Sequence, residues 1–163
     1  MSHPDWLPAL VRLEDCGGDW EKYEQAVYSH FFLDFVESKP IVQGRRVSHT
    51  REPLVNGREY TFWHLISVGS VEENRLPDLR RCERIRWPKA VMDSCKTDNV
   101  RAWRNRRRNG EAVVLALPDW SYKVVLLCRR DSLLLWTAYP VEFANERRQM
   151  ENEYQQYIAL EKS

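Results

Sequence analysis

The sequence predicts an α+β domain in which N-terminal and central helices pack on a small antiparallel β-sheet. Three patterns support this class: apolar residues at helical spacing near the start, short apolar runs joined by tight connections in the last third, and a partly apolar helical pattern at the end. Helices followed by neighbouring strands are typical of α+β proteins. With 163 residues, we expect one domain over 1–163, with a helical part at 1–40 and a closing helix at 146–160.

The first half of the chain combines a helix, a turn and a strand. Asp19 is expected to cap a helix over residues 20–37, because an Asp side chain accepts hydrogen bonds from the free N–H groups of a first turn. Asn56-Gly57 is a tight-turn pattern. Apolar alternation then predicts a strand over 58–68.

The second half begins with helices and ends with strands. The pattern predicts helices over 76–85, 89–95 and 99–108. Three strands are then expected over 112–117, 121–129 and 133–141. Because their connections are short, consecutive strands should pair as an antiparallel meander.

Residues 75–108, which we call the basic block, dominate the charge pattern. Twelve cations, ten of them Arg, stand against four carboxylates, so the block has a net charge of +8 in a chain of net +1. Such a polarised surface attracts a polyanion, and Arg beside aromatic residues is typical of single-strand binding. A solvated helical face is the plainer interpretation. The residues expected to contact RNA are Arg80, Arg86, Trp87, Arg101, Trp103, Arg104 and Arg129.

Several function classes lack their sequence patterns. Motifs for nucleoside triphosphates, dinucleotides and serine hydrolysis are absent, no Cys or His pair has zinc-ligand spacing, and we expect no metal or cofactor. No apolar stretch is long enough to span a membrane, and the start does not have the pattern of a signal peptide. The four Cys residues are expected to be reduced thiols of a cytoplasmic protein.

Three side chains are candidates for chemistry. His64 lies in a run of aromatic and apolar residues, where it is either a hydrogen-bonded core histidine or a general acid or base. Thr137 and Tyr139 alternate by two and therefore share one face of the last predicted strand. They are either ordinary strand formers or part of a site that orients a phosphate, which Arg129 would extend.

Five segments occur in a telling order along the chain. They are Phe62-Trp63-His64-Leu65-Ile66, Arg80-Arg81-Cys82-Glu83-Arg84-Ile85-Arg86-Trp87-Pro88, Val100-Arg101-Ala102-Trp103, Tyr122-Lys123-Val124-Val125-Leu126 and Thr137-Ala138-Tyr139. In this order they resemble phage-associated members of the barnase–EndoU–colicin–RelE-like (BECR) ribonuclease superfamily. The resemblance covers a nuclease-like core at 60–141, and it implies helices on one face of a small sheet with an RNA cleft on the other.

The resemblance also implies site residues. An early His, an Arg of the central helix and a Thr-x-Tyr ending correspond here to His64, to Arg81 or Arg84, and to the pair Thr137 and Tyr139. Unlike the two-histidine members, this chain has no second histidine in its late strands.

Cleavage of RNA without a metal needs a base for the 2′-OH proton, an acid for the leaving 5′-oxygen, and cations for the charge on phosphorus. His64 would serve as base or acid, and Arg81 or Arg84 would neutralise the charge. Thr137 and Tyr139 would hold a non-bridging oxygen, with Tyr139 as a second proton carrier. The product would carry a 2′,3′-cyclic phosphate, as in a toxin-like endoribonuclease held by an acidic antitoxin. Two alternatives stay open: a non-catalytic nucleic-acid-binding module, and a protein-interaction domain that uses the Arg-rich face.

Overall fold

In the computed structural model, which describes residues 3–108 and 110–162, five α-helices accompany a main sheet of six strands. The helices are α1 (Trp20–Phe31), α2 (Tyr60–Ile66), α3 (Leu79–Glu83), α4 (Trp87–Asp93) and α5 (Ala144–Lys162). The strands are β1 (Ile41–Val42), β2 (Arg45–Ser48), β3 (Ser67–Val68), β4 (Leu76–Pro77), β5 (Arg101–Arg107), β6 (Gly110–Ala116), β7 (Tyr122–Cys128) and β8 (Ser132–Pro140). Strands β3 and β4 form a separate two-stranded ribbon.

The main sheet has the strand order β1-β2-β8-β7-β6-β5. Adjacent strands of this sheet are antiparallel, except for β2 and β8, which run parallel to each other. The α+β class is therefore confirmed, and the predicted meander corresponds to β6, β7 and β8. The sheet is larger than expected, because β1 and β2 extend it on one side and β5 on the other.

The two faces of the main sheet carry different hydrophobic clusters. On the first face, buried residues of α1 to α4 pack against alternate strand residues such as Leu115, Val124 and Leu135. On the second face, Trp103 and Met150 belong to a smaller cluster to which α5 contributes. Helices α1 to α4 therefore lie on the first face of the sheet, and α5 lies on the second.

Most of the predicted strand 58–68 is helix α2. The buried residues of α2 are Thr61, Phe62, Leu65 and Ile66. This spacing follows one face of a helix, whereas a half-buried strand would bury every second residue. His64 consequently lies away from the most buried face of α2.

The predicted helix 99–108 is instead strand β5. It pairs with β6 in one antiparallel register from Arg101, opposite Ala116, to Arg107, opposite Gly110. Trp103 is buried and its neighbour Arg104 is exposed, as the alternation of a strand requires. The helix prediction was wrong because the density of Arg, a good helix former, obscured this alternation.

Several local predictions are confirmed. Asp19 caps α1, since its carboxylate accepts from the Lys22 N–H (3.3 Å), and a π-helical segment (Phe32–Glu37) continues that helix. Asn56 and Gly57 have φ angles of 52° and 77° in a tight turn. The predicted helix 76–85 is shorter than expected, because α3 begins only after strand β4.

Candidate functional site

A groove runs along the second face of the sheet, between the strands and α5. Three adjoining depressions of about 370, 350 and 210 Å³ form it. The largest shares Asn105 and Arg107 with the second, and Tyr139 and Glu146 with the third. We call this continuous surface the sheet–α5 groove. Its lining is largely polar and includes both carboxylates and cations.

Four side chains meet at one end of the groove, and we call them the Glu146 cluster. Oε2 of Glu146, in the first turn of α5, accepts hydrogen bonds from Nζ of Lys123 (2.8 Å) and from the Tyr139 hydroxyl (2.7 Å). Lys123 lies directly opposite Tyr139 in the β7–β8 pairing, so the sheet itself aligns these two donors. The guanidinium of Arg81 lies over the Tyr139 ring, with Cζ 4.8 Å from the ring centroid. The cluster therefore combines one carboxylate, one phenol and two cations.

These contacts determine the protonation states in the Glu146 cluster. Burial raises the pKa of Glu146, but hydrogen bonds from Lys123 and Tyr139, with the charges of Lys123 and Arg107, leave this pKa below its ordinary value. Burial, followed by the hydrogen bond to Glu146 and its charge, raises the pKa of Tyr139 well above that of a free phenol. At neutral pH the cluster therefore holds a carboxylate beside a neutral phenol.

Arg81 connects α3 to this end of the groove. Its Nη1 donates to the backbone carbonyls of Ser67 (3.0 Å) and His64 (3.4 Å), which fixes the guanidinium against the face of the Tyr139 ring. Burial is the largest influence on Arg81 and lowers its pKa, but a guanidinium stays protonated in proteins. Arg81 is therefore a fixed, partly buried cation at the edge of the groove.

Thr137 and Arg84 were also predicted to contact the transition state, and the structure places them differently relative to Tyr139. Thr137 shares the second face of β8 with Tyr139, as the alternation predicted. Arg84 instead donates from Nη1 to the carbonyl of Arg80 (3.0 Å), and its Cζ lies 5.1 Å from the centroid of the Trp87 ring. Of the two arginines left open by the sequence, Arg81 is the one that reaches Tyr139.

His64 does not join the Glu146 cluster. Its Nε2 lies 3.1 Å from Oε1 of Glu72, and its imidazole lines a different depression from the one that Tyr139 lines. Burial, together with the nearby charges of Arg75 and Arg81, lowers the pKa of His64 despite the opposing influence of Glu72. His64 is half-buried at the surface, so it is neither a core histidine nor a direct neighbour of Tyr139.

Five arginines of β5 and the residue after it have no ion-pair partner in the described part of the chain. They are Arg101, Arg104, Arg106, Arg107 and Arg108. Elsewhere in the basic block the cations are more often paired: Arg80 contacts Glu142, and Lys89 contacts Asp93 at 2.9 Å. The charge most available to an anion is therefore concentrated along β5 and its turn.

The two tryptophans of the basic block are buried. Trp87 is 4% exposed and donates from Nε1 to the carbonyl of Pro8 (3.0 Å). Trp103 is 1% exposed and donates from Nε1 to Glu153 (3.0 Å). Neither ring offers a free face to a base, so the prediction that they contact RNA is wrong for both.

Trp136 provides the exposed ring that the sequence interpretation missed. The β7–β8 pairing shifts register beside this residue, which makes Trp136 the extra residue of a β-bulge. It is 40% exposed and lines the second depression of the groove together with Arg106, Arg107 and Arg108. An aromatic ring and three arginines therefore share one depression.

Two arginines predicted to contact RNA lie elsewhere. Arg86 is exposed beside Asp34, whose carboxyl is influenced by its charge. Arg129 follows β7 at the end opposite to Lys123. The two residues are six positions apart along an extended chain, or about 20 Å at roughly 3.3 Å per residue. Arg129 therefore does not extend the phosphate site suggested for Thr137 and Tyr139.

Some site residues could have been found from the sequence, and others could not. Lys123 is the one charged residue of the apolar run from Tyr122 to Cys128, an interruption that suggests a specific role. Glu146 has no such pattern, because its place depends on how α5 packs on the sheet. The exposed position of Trp136 depends on the β-bulge, which the sequence pattern does not predict.

Comparisons with known proteins give no family for this chain: no family model, no curated protein and no solved structure matches it. Among the described residues, no helix is long and apolar enough to cross a membrane. The same residues contain no group of three or more His, Cys, Asp or Glu side chains that could hold a metal ion.

Proposed function

We propose that this protein binds single-stranded RNA in the sheet–α5 groove. The observation that carries the proposal is the position of Trp136, exposed in the same depression as Arg106, Arg107 and Arg108. Single-strand binders combine an aromatic platform, on which bases stack, with cations that follow the phosphates. Arg is suited to both parts, because its guanidinium contacts phosphate in a bidentate manner and stacks on bases.

The shape of the groove supports a strand rather than a single anion. The depression at Trp136 continues through Asn105 and Arg107 to the Glu146 cluster. A bound strand would thus meet arginines first and then Lys123 and Tyr139.

The four Cys residues are free thiols, which supports a cytoplasmic location, where RNA is abundant. An acidic inhibitor protein would compete for the same arginines.

A plainer explanation of the arginines is protection of an edge strand. β5 is the last strand of the sheet, and charged residues on edge strands prevent pairing with other chains. Edge protection requires charge anywhere along β5, whereas RNA binding requires it in the groove. Arg107 lines the groove, while Arg104 lies on the opposite side of β5 from Trp103. These two arginines therefore distinguish the explanations.

The test is fluorescence anisotropy of a short labelled RNA over a series of salt concentrations. With about five phosphates neutralised, log K should fall against log salt with a slope near −3.5, at roughly −0.7 per phosphate. Arg107→Ala should make the slope shallower, and Arg104→Ala should change it less. Binding that is absent, or equal at low and physiological salt, would remove the proposal. Labelled DNA of the same sequence shows whether the 2′-OH contributes.

The contribution of Trp136 is tested separately. Loss of one base-stacking platform costs about 1–3 kcal/mol of binding free energy, so Trp136→Ala should weaken RNA binding by about 5- to 150-fold. Trp20→Ala is the matched control, since Trp20 is similarly exposed (37%) but belongs to α1. Equal affinities of the two variants would show that the arginines bind RNA without a stacking platform.

Metal-independent endoribonuclease activity is the second candidate, and the Glu146 cluster is the observation that favours it. Oε2 of Glu146 already accepts from Lys123 and Tyr139, which leaves Oε1 to take the proton of a 2′-OH. The 2′-oxygen then attacks phosphorus, the bond to the 5′-oxygen breaks, and a 2′,3′-cyclic phosphate forms. Arg81 and Lys123 would neutralise the charge that builds on phosphorus.

The proton balance of this step uses the 2.7 Å hydrogen bond between Tyr139 and Glu146. Tyr139 would protonate the leaving 5′-oxygen, and Glu146 would return the proton taken from the 2′-OH to the phenol oxygen. The pKa of Tyr139, raised by burial and by Glu146, keeps the phenol in its donating form at neutral pH. In this candidate mechanism Glu146 replaces His64 as the base.

A further inference from the structure

A second pocket lies on the other side of Trp136. It has a volume of about 120 Å³ and is lined by Thr50, Glu52, Tyr60, Thr61, His64 and Leu135 in addition to Trp136. Trp136 thus borders both this pocket and the arginine depression of the groove. A strand that stacks on Trp136 would have the pocket directly beside it.

Two local features of the fold build the pocket. The β-bulge turns Trp136 outward, while Leu135 next to it is buried. In α2, Tyr60 and His64 are four residues apart and lie on one side of the helix, with their ring centroids at 4.4 Å. The loop before α2 is held in place because the Oγ1 of Thr61 accepts from the N–H of Thr50 (2.7 Å). The pocket is therefore bounded by anchored elements on both sides.

The lining combines aromatic rings with hydrogen-bond acceptors. Nε2 of His64 is committed to Glu72 (3.1 Å), which leaves Nδ1 as an acceptor when the ring is neutral. Burial, with the charges of Arg75 and Arg81, lowers the pKa of His64 and favours that neutral form. The carboxylate of Glu52 is a second acceptor in the lining. A complementary ligand is flat, has apolar faces and presents two N–H donors at its edge, one for each acceptor.

We infer that this pocket holds one unstacked base of the bound RNA, and that it favours bases with an exocyclic amino group. The inference rests on the proposed function, because the arginine depression has to hold the backbone while the base turns past Trp136. Sequence-specific RNA recognition commonly uses bases that are splayed out and read at their edges. The pocket volume of about 120 Å³ is of the size of one planar ring and leaves no room for the attached sugar and phosphate. Cytosine, adenine and guanine carry an amino group with two N–H donors, whereas uracil has only the single N3–H of its ring at that edge.

The experiment compares oligocytidylate, oligoadenylate and oligouridylate of equal length at one salt concentration. The wild-type protein should bind the cytidine and adenosine oligomers about tenfold more tightly than the uridine oligomer, as expected for an additional hydrogen bond to a charged or strong acceptor. His64→Ala should remove this difference and leave the salt slope unchanged. His30→Ala, which changes a histidine of α1, is the matched control and should keep the preference.

A second variant makes the test independent of His64. Thr50→Phe places a ring in the pocket and should also abolish the preference while keeping salt-dependent binding. If the wild-type protein binds the oligomers equally, or if the preference survives both substitutions, the base pocket is refuted and RNA binding in the groove stands. If no oligomer shows salt-dependent binding, the proposed function itself fails. Circular dichroism of each variant verifies that it is folded.

Discussion

The guanidinium of Arg81 lies over the phenol ring of Tyr139, with Cζ 4.8 Å from the ring centroid. This contact joins α3 to strand β8, and it places a cation beside the phenol that donates to Glu146 (2.7 Å). Cation–π contacts of partly desolvated groups contribute about 0.5–2 kcal/mol. The pair therefore links the stability of this region to the geometry of the Glu146 cluster.

Tyr139→Phe separates the ring of Tyr139 from its hydroxyl. The variant keeps the contact with Arg81 and loses the hydrogen bond to Glu146, so we expect it to lower the free energy of unfolding by about 1–2 kcal/mol. If the cluster cleaves RNA, the rate should fall by about 10²-fold or more. Tyr157→Phe, on the α5 side of the same hydrophobic cluster, is the control. Equal urea midpoints for the two variants would show that the Tyr139 hydroxyl does not stabilise the fold.

The ion pair between Lys123 and Glu146 should be strongly coupled. The Lys123 side chain is only 9% exposed, so Glu146→Gln leaves a desolvated cation without its carboxylate and should cost about 3 kcal/mol of folding free energy. Lys123→Met removes that cation, and the double variant should be more stable than the sum of the single losses predicts. Urea unfolding of the four proteins measures the coupling energy. Additive losses would mean that the 2.8 Å contact contributes no net stabilisation.

Sequence patterns predicted the meander and the terminal helices because each depends on local periodicity. Local periodicity gave a wrong prediction for residues 58–68, because the apolar residues on both sides of His64 fit a strand as well as helix α2. Thr137 and Tyr139 were placed correctly on one face of β8. The arrival of Glu146 and Trp136 at the groove depends on α5 packing and on a bulge, and neither is encoded in the spacing of nearby residues.

Cleavage, if the Glu146 cluster performs it, should need no metal. RNA should be cut in the presence of EDTA with a 2′,3′-cyclic phosphate at the new end, and an all-deoxy strand of the same sequence should remain intact. Glu146→Gln should lower the rate by about 10²–10⁴-fold, the range for loss of a general base. At saturating RNA, His64→Ala should retain most of the rate, because His64 lines a different depression from the one at the Glu146 cluster and would affect binding alone. Activity lost in EDTA and restored by magnesium would exclude this mechanism.

Asp34 makes the stability of the fold depend on pH in the acidic range, independently of the groove. It lies in the π-helical segment (Phe32–Glu37) that continues α1. Burial, with a smaller influence of Asp93, raises the pKa of Asp34 to about 6 although Lys89 and Arg86 oppose the change. Because this folded-state pKa lies above the ordinary value of 3.8, the native protein binds this proton more tightly than the unfolded chain does. The stabilisation is complete below about pH 4 and is lost as the pH rises through about 6.

Asp34→Asn should therefore remove the loss of stability that accompanies ionisation of Asp34. The amide stays neutral at all pH values, so the variant should be more stable than the wild-type protein at pH 7 by about 1 kcal/mol, a figure reduced for the partial exposure of the carboxyl. Near pH 4 the two proteins should have similar stability, because the wild-type carboxyl is then protonated as well. Urea unfolding at a series of pH values measures the difference, with Asp98→Asn at an exposed loop position as the control. A difference between Asp34→Asn and wild type that does not grow from pH 4 to pH 7 would contradict the raised pKa.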